Sequence, residues 1–112
     1  MVKEYIEQNQ ERFLEELFEL LRIPSVSTDK KFKDDVLRAA DYLKEKLESL
    51  NIDKVEVCQT PGYPIVYAEK MVDEKLPTVL VYGHYDVQPA DPYELWETPP
   101  FEPKVRNGKI YA

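Results

Sequence analysis

The stretch TVLVYGHYDVQPADPYELW, residues 78–96, begins as an apolar run and changes character at His84, the only histidine of the chain. Residues 78–83 have apolar side chains on both faces of an extended chain, which predicts an interior strand that is covered on both sides. Residues i and i+2 of an extended chain point to the same face, so we expect His84 and Asp86 to project together and Tyr85 to project oppositely. The stretch therefore predicts a buried strand that ends in an imidazole and a carboxylate.

Two amphipathic helices are predicted upstream of this strand. Apolar residues recur three and four positions apart in residues 2–22 and again in residues 32–50, and each set forms one stripe. Pro24 ends the first helix, because the residue before a proline is pushed away from α geometry. Asn51 suits the left-handed position that follows the last turn of the second helix.

Short strands are predicted around the central run. DKVEVCQT, residues 53–60, alternates with a period of two, and YPIVYAEK, residues 63–70, follows the turn signal Pro61-Gly62. Asn107-Gly108, between two short strand-like runs, is a strong hairpin signal. The pattern predicts an α/β fold with a helix-flanked mixed sheet: two helices, about three strands and a C-terminal hairpin. Residues 1–112 form one domain or part of one in this interpretation.

Charge and composition exclude several classes of partner. The net charge is −7, from 15 basic and 22 acidic residues, and such a surface repels phosphate backbones, so we expect no nucleic-acid partner. No window approaches the roughly 20 apolar residues of a membrane-spanning helix, and the charged first twenty residues hold no signal peptide, so we expect no membrane partner. Cys58 is the only cysteine, which rules out an internal disulfide and favours a reducing, cytoplasmic location.

His84 and Asp86 admit two interpretations. A carboxylate beside an imidazole fixes the tautomer of the ring and turns its other nitrogen outward, as in many metal-ligating histidines. A lone histidine at a strand end is, however, more often a structural hydrogen-bonding residue, and zinc usually takes three or four ligands. Spacing alone leaves both interpretations open.

The connection at residues 86–103 is long and contains five of the nine prolines together with several aromatic residues. Long connections in compact domains are often functional. The segment is either a stiff wall beside an active site or an Ω-loop whose aromatic residues pack its own interior. Composition does not choose between the two.

Three runs carry a resemblance to a known family: LLRIPSVS at residues 20–27, GHYDVQP at residues 83–89 and WETPPFEP at residues 96–103. The chain resembles the dinuclear zinc metallopeptidases of the aminoacylase and carboxypeptidase clan, over Val2 to Ala112. It is especially similar to the branch that contains cytosolic dipeptidases and carnosinases.

The resemblance implies a role for each residue of the His-x-Asp pair. His84 matches a ligand of one of two zinc ions, for which manganese or cobalt could stand in, and Asp86 matches an aspartate that supports this histidine and assists catalysis. The implied activity is metal-dependent hydrolysis of dipeptides or short peptides with a free carboxylate. The implied partners are such a peptide and, through a further domain, a second copy in a homodimer.

The resemblance also implies that residues 1–112 are the N-terminal part of the catalytic domain. The remaining metal ligands and the general base of the family would follow Ala112, so we expect this chain to be inactive by itself. Two alternatives remain, an N-acyl amino acid deacylase of the same clan and a non-catalytic truncated α/β module.

Overall fold

Three α-helices and four short strands make up the chain, whose computed structural model describes all residues from Met1 to Ala112. The helices are α1 (Val2–Gln8), α2 (Gln10–Leu21) and α3 (Lys33–Glu48). The strands are β1 (Lys54–Cys58), β2 (Ile65–Glu69), β3 (Lys104–Arg106) and β4 (Lys109–Tyr111). The residues divide into two compact units, 1–24 with 90–112, and 25–89. The α/β class is confirmed. None of the three helices combines the length and the hydropathy of a membrane-spanning segment.

A break at Asn9 divides the first predicted helix into α1 and α2, so the prediction of one continuous helix was wrong. The Asn9 side-chain amide donates to the Tyr5 carbonyl (2.8 Å), which would otherwise accept the backbone bond of a continuous helix. The Asn9 carbonyl accepts from the Phe13 N–H (3.0 Å) and so begins α2. Asparagine side chains compete with the helix backbone for partners, which explains the break.

Helix α3 and the β1–β2 pair form the core of the unit that spans residues 25–89. Val36, Ala39 and Ala40 are the buried residues of α3, and the helix packs against both strands. The strands are antiparallel with Val57 opposite Val66. Asn51 takes the left-handed conformation (φ 54°) after the helix, as predicted. The stripe of the second predicted helix and the alternation of β1 are thus recovered, with α3 at residues 33–48, whereas α1 and α2 contain no buried residue.

The predicted interior strand at residues 78–83 does not form. This segment lies in no strand, and Val79 and Leu80 are 83% and 90% exposed. A strand that is apolar on both faces gains stability only when neighbouring strands pair with its edges and other elements cover its faces. The β1–β2 and β3–β4 sheets each contain two strands, and neither pairs with this segment.

The C-terminal hairpin forms as predicted in the unit of residues 1–24 and 90–112. Strands β3 and β4 are antiparallel, with Val105 opposite Ile110. Asn107 (φ 51°) and Gly108 (φ 72°) connect them. A two-residue turn with positive φ at both positions matches the twist of the flanking strands, which is why Asn-Gly favours it.

Candidate functional site

Two extended segments that are far apart in sequence lie side by side around the His-x-Asp pair. Val26 and Val87 form an isolated parallel β-bridge, and the Val87 N–H donates to the Ser25 carbonyl (2.9 Å). The Ser25 hydroxyl donates to the Tyr85 carbonyl (2.7 Å). Ser25 and Val26 are both buried. The residues that follow α2 therefore anchor the backbone at Tyr85–Val87.

Tyr85 points away from the His-x-Asp pair, as the alternation predicted. Its hydroxyl donates to the Pro64 carbonyl (2.5 Å) in the loop before β2. Burial raises the pKa of the Tyr85 hydroxyl, and the negative charge of Asp86 raises it further. The neutral phenol is thus kept as a donor that ties this segment to β2.

His84 and Asp86 meet on the opposite side. His84 Nδ1 lies 2.9 Å from the Asp86 carbonyl oxygen and 3.1 Å from Asp86 Oδ1. Both of these atoms are acceptors, so the hydrogen-bond network assigns the ring proton of the neutral imidazole to Nδ1. The Nε2 atom then carries a lone pair, and the side chain is 74% exposed.

The Asp86 carboxylate is held by two residues at once. The Ser27 hydroxyl donates to Oδ2 (2.7 Å) while Oδ1 faces His84. The Ser27 hydrogen bond is the largest cause of a lowered Asp86 pKa, and the bond from His84 lowers it further against an opposing effect of burial. The carboxylate is therefore an anion at neutral pH and can hold a proton on Nδ1 of the imidazole.

The arrangement suits one metal ligand and no complete metal site. In a typical metal-binding histidine, one ring nitrogen donates to a carboxylate and the other presents its lone pair to the metal. Nδ1 and Nε2 of His84 match these two roles. No group of three or more His, Cys, Asp or Glu residues in the chain could hold a metal ion. Zinc takes three protein ligands or more, so these residues supply one imidazole nitrogen and lack the rest of a coordination shell.

Ser27 is the residue of this site that sequence reasoning missed. It belongs to the run LLRIPSVS, which carries the family resemblance but has no pattern that indicates a contact with Asp86. Ser27 and Asp86 are 59 positions apart, so no local spacing joins them. A serine in a segment without regular structure was the only available signal.

The connection at residues 86–103 is ordered by its own contacts in residues 90–103 and the following hairpin. The Trp96 Nε1–H donates to the Ala90 carbonyl (2.8 Å), Glu97 pairs with Arg106, and Pro100 and Pro103 are buried. These contacts order the segment without packing all of its aromatic residues, since Tyr93 is 43% exposed, and the Ω-loop interpretation stays a prediction. The interpretation of a wall beside an active site stays a prediction.

No family model matches the chain, but several curated proteins are similar to it in sequence. The chain is 36% identical over 108 residues to the Cys-Gly metallodipeptidase DUG1 of Candida albicans. The alignment covers 86% of this chain and 22% of that protein. It is 32% identical over 121 residues to the Beta-Ala-His dipeptidase of Rattus norvegicus, with coverage of 97% and 25%. The chain therefore spans about a quarter of the length of the curated relatives that it matches.

Solved structures show that the fold is shared as well. The dipeptidase Dug1p from Saccharomyces cerevisiae superposes with a TM-score of 0.81 at 29% identity, covering 90% of this chain and 23% of that one. The M20 family metallo-carboxypeptidase Sso-CP2 from Sulfolobus solfataricus gives a TM-score of 0.78 at 43% identity, covering 88% and 22%. The chain is thus homologous to metallopeptidases. Its homologues are Cys-Gly and Beta-Ala-His metallodipeptidases and an M20 metallo-carboxypeptidase, and it corresponds to one part of them.

Proposed function

We propose that residues 1–112 are part of the catalytic domain of a metal-dependent dipeptidase, which hydrolyses dipeptides or short peptides with a free carboxylate. The observation that carries this proposal is the state of His84. Its Nδ1 faces Asp86 and its Nε2 is free, in a chain homologous to metallodipeptidases. A metal would supply polarisation of the peptide carbonyl and activation of water for hydrolysis.

The roles of the two residues follow from their contacts. His84 offers Nε2 to the metal, and Asp86 keeps the proton on Nδ1 and orients the ring. Both carboxylate oxygens of Asp86 already face partners, Ser27 and His84. The family resemblance implies that Asp86 also assists catalysis. For Asp86 to act directly in the reaction, one of its carboxylate oxygens would have to break its hydrogen bond with Ser27 or His84.

The proposal includes features of the complete protein. We propose zinc, two ions for each complete enzyme, with manganese or cobalt as alternatives, since the order of metal affinities does not fix which metal is used in a cell. We also propose a homodimer. The single cysteine suits a reducing compartment, and a cytoplasmic location is proposed on that ground.

A chimera tests the activity directly. Residues 1–112 replace the matching quarter of the Candida albicans Cys-Gly metallodipeptidase, and hydrolysis of Cys-Gly is measured with added zinc or manganese. We expect activity in the chimera. We expect His84→Ala to reduce it by more than the roughly 10- to 100-fold loss of metal affinity typical for a residue that only supports a ligand, and to lower the metal content.

A matched control separates the site from general damage to the fold. In the same chimera, Ser49→Ala removes a hydroxyl that bonds only the Lys46 carbonyl and should leave hydrolysis unchanged. Full activity of the His84→Ala chimera would contradict the proposal. An N-acetyl amino acid in the substrate panel discriminates the deacylase alternative, because faster turnover of that compound than of Cys-Gly would favour it.

A further inference from the structure

The run LLRIPSVS delivers one hydroxyl to the candidate site from far away in the sequence. The buried Ser25 and Val26 fix the backbone of their segment against Tyr85–Val87 through two hydrogen bonds and the parallel bridge. Ser27 follows immediately, and its hydroxyl lies 2.7 Å from Asp86 Oδ2. This hydroxyl therefore directly follows a buried anchor in the sequence.

The rotation of the Asp86 carboxylate decides whether His84 Nδ1 meets a second acceptor beside the Asp86 carbonyl oxygen, which lies 2.9 Å away. The last side-chain torsion of an aspartate has a broad distribution, so a carboxylate with a single partner would sample many orientations. Here Oδ2 accepts from Ser27 while Oδ1 lies 3.1 Å from His84 Nδ1. One hydrogen bond thus restricts the carboxylate to an orientation in which its second oxygen faces the ring.

We propose that Ser27 is a positioning residue that orients the Asp86 carboxylate and thereby strengthens the preference of His84 for the Nδ1–H tautomer, to which the Asp86 carbonyl oxygen also contributes. The Nε2 lone pair is then available before any ligand arrives. The use of that lone pair for metal binding rests on the proposed function. The tautomer itself does not, and it can be measured without metal.

The single histidine makes the measurement unambiguous, because nitrogen NMR of the ¹⁵N-labelled chain shows one imidazole. Spectra are recorded on the metal-free 112-residue chain over a series of alkaline pH values, and the spectrum that no longer changes with pH is used. The nitrogen shifts show which atom carries the proton. We expect mainly Nδ1–H in the wild-type chain.

Substitutions at Ser27 test the cause. We expect Ser27→Ala to lower the ratio of Nδ1–H to Nε2–H about fivefold or more, the effect of losing one hydrogen bond. Ser27→Thr retains a hydroxyl and should keep the wild-type ratio. Ser49→Ala, which loses a hydroxyl bonded to the Lys46 carbonyl, should also keep it.

Two results would overturn the proposal. One is an Nε2–H tautomer in the wild-type chain, and the other is an unchanged ratio in a folded Ser27→Ala variant. If Ser27→Ala does not fold, Ser27→Cys decides, since a thiol of similar size is a weak donor and must lower the ratio. A lowered ratio in Ser27→Ala together with an active His84→Ala chimera would refute the metal role of His84 but not the role of Ser27. An unchanged ratio in Ser27→Ala together with an inactive His84→Ala chimera would refute the role of Ser27 but not the metal role.

Discussion

His84 shows how an exposed residue can have hydrogen-bond partners at only one of its two ring nitrogens. Its ring is 74% exposed, but both acceptors near Nδ1 come from Asp86. A lone histidine in water exchanges freely between tautomers, whereas this one faces acceptors at a single nitrogen. Solvent access to Nε2 and restriction of Nδ1 are both properties that a metal ligand needs.

Burial separates residues of the same type much more sharply than composition does. Val36 on α3 is 0% exposed and Val79 is 83% exposed. We expect Val36→Ala to lower the free energy of unfolding by about 2 kcal/mol, from lost apolar burial and the cavity left behind. We expect Val79→Ala to change it by less than about 0.5 kcal/mol. Urea unfolding of the two variants gives both values, and equal destabilisation would contradict the burial assigned to Val36.

Residues 78–83 have the composition of a central strand and none of its contacts. The residues between Leu76 and Gly83 include no charge, and four consecutive large side chains, Val79, Leu80, Val81 and Tyr82, are exposed. An uncharged segment of high β-propensity with free backbone groups is a template for pairing with another chain. The segment whose composition suits the centre of a sheet is therefore a site at which two copies of the 112 residues can associate.

The association of the isolated chain should therefore depend on this segment. We expect Leu80→Lys to reduce self-association, because a charge in the apolar segment opposes strand pairing. Leu50→Lys, at another exposed leucine, adds the same charge and should have a smaller effect. Sedimentation velocity over a range of concentration measures both, and added salt should increase association of the parent chain by screening its net charge of −7. Equal effects of the two lysines would rule out a special role for residues 78–83.

At the scale of the molecule, the 112 residues carry one candidate ligand and no assembled metal site. We expect the purified chain to retain no stoichiometric metal after desalting and to hydrolyse no dipeptide in the presence of zinc, since one imidazole cannot complete a coordination shell. Metal analysis and a dipeptide panel, with His84→Ala as the control, check this. Retention of about one or two metal ions for each chain, or turnover above that control, would contradict it.

The features that the sequence determined by itself depend on residues close together in the chain. Asn107-Gly108 forms its turn through two backbone conformations. The apolar repeat of α3 places Val36 and Ala40 on one buried face. The His84–Asp86 contact spans two positions of an extended segment. Local geometry is sufficient for each of these, and the family resemblance rested on equally local runs.

Only the tertiary structure decided the contacts between distant segments. The hydrogen bond from Ser27 to Asp86 spans 59 positions and that from Tyr85 to Pro64 spans 21, so neither leaves a periodic signal. The sequence also predicted a strand at residues 78–83, because its composition satisfies what an interior strand requires. Whether a strand forms depends on partners for its backbone groups, and no strand of these 112 residues pairs with it. The composition of a segment indicates the environment in which it would be stable. Whether it is paired and buried depends on which distant segments of the chain contact it.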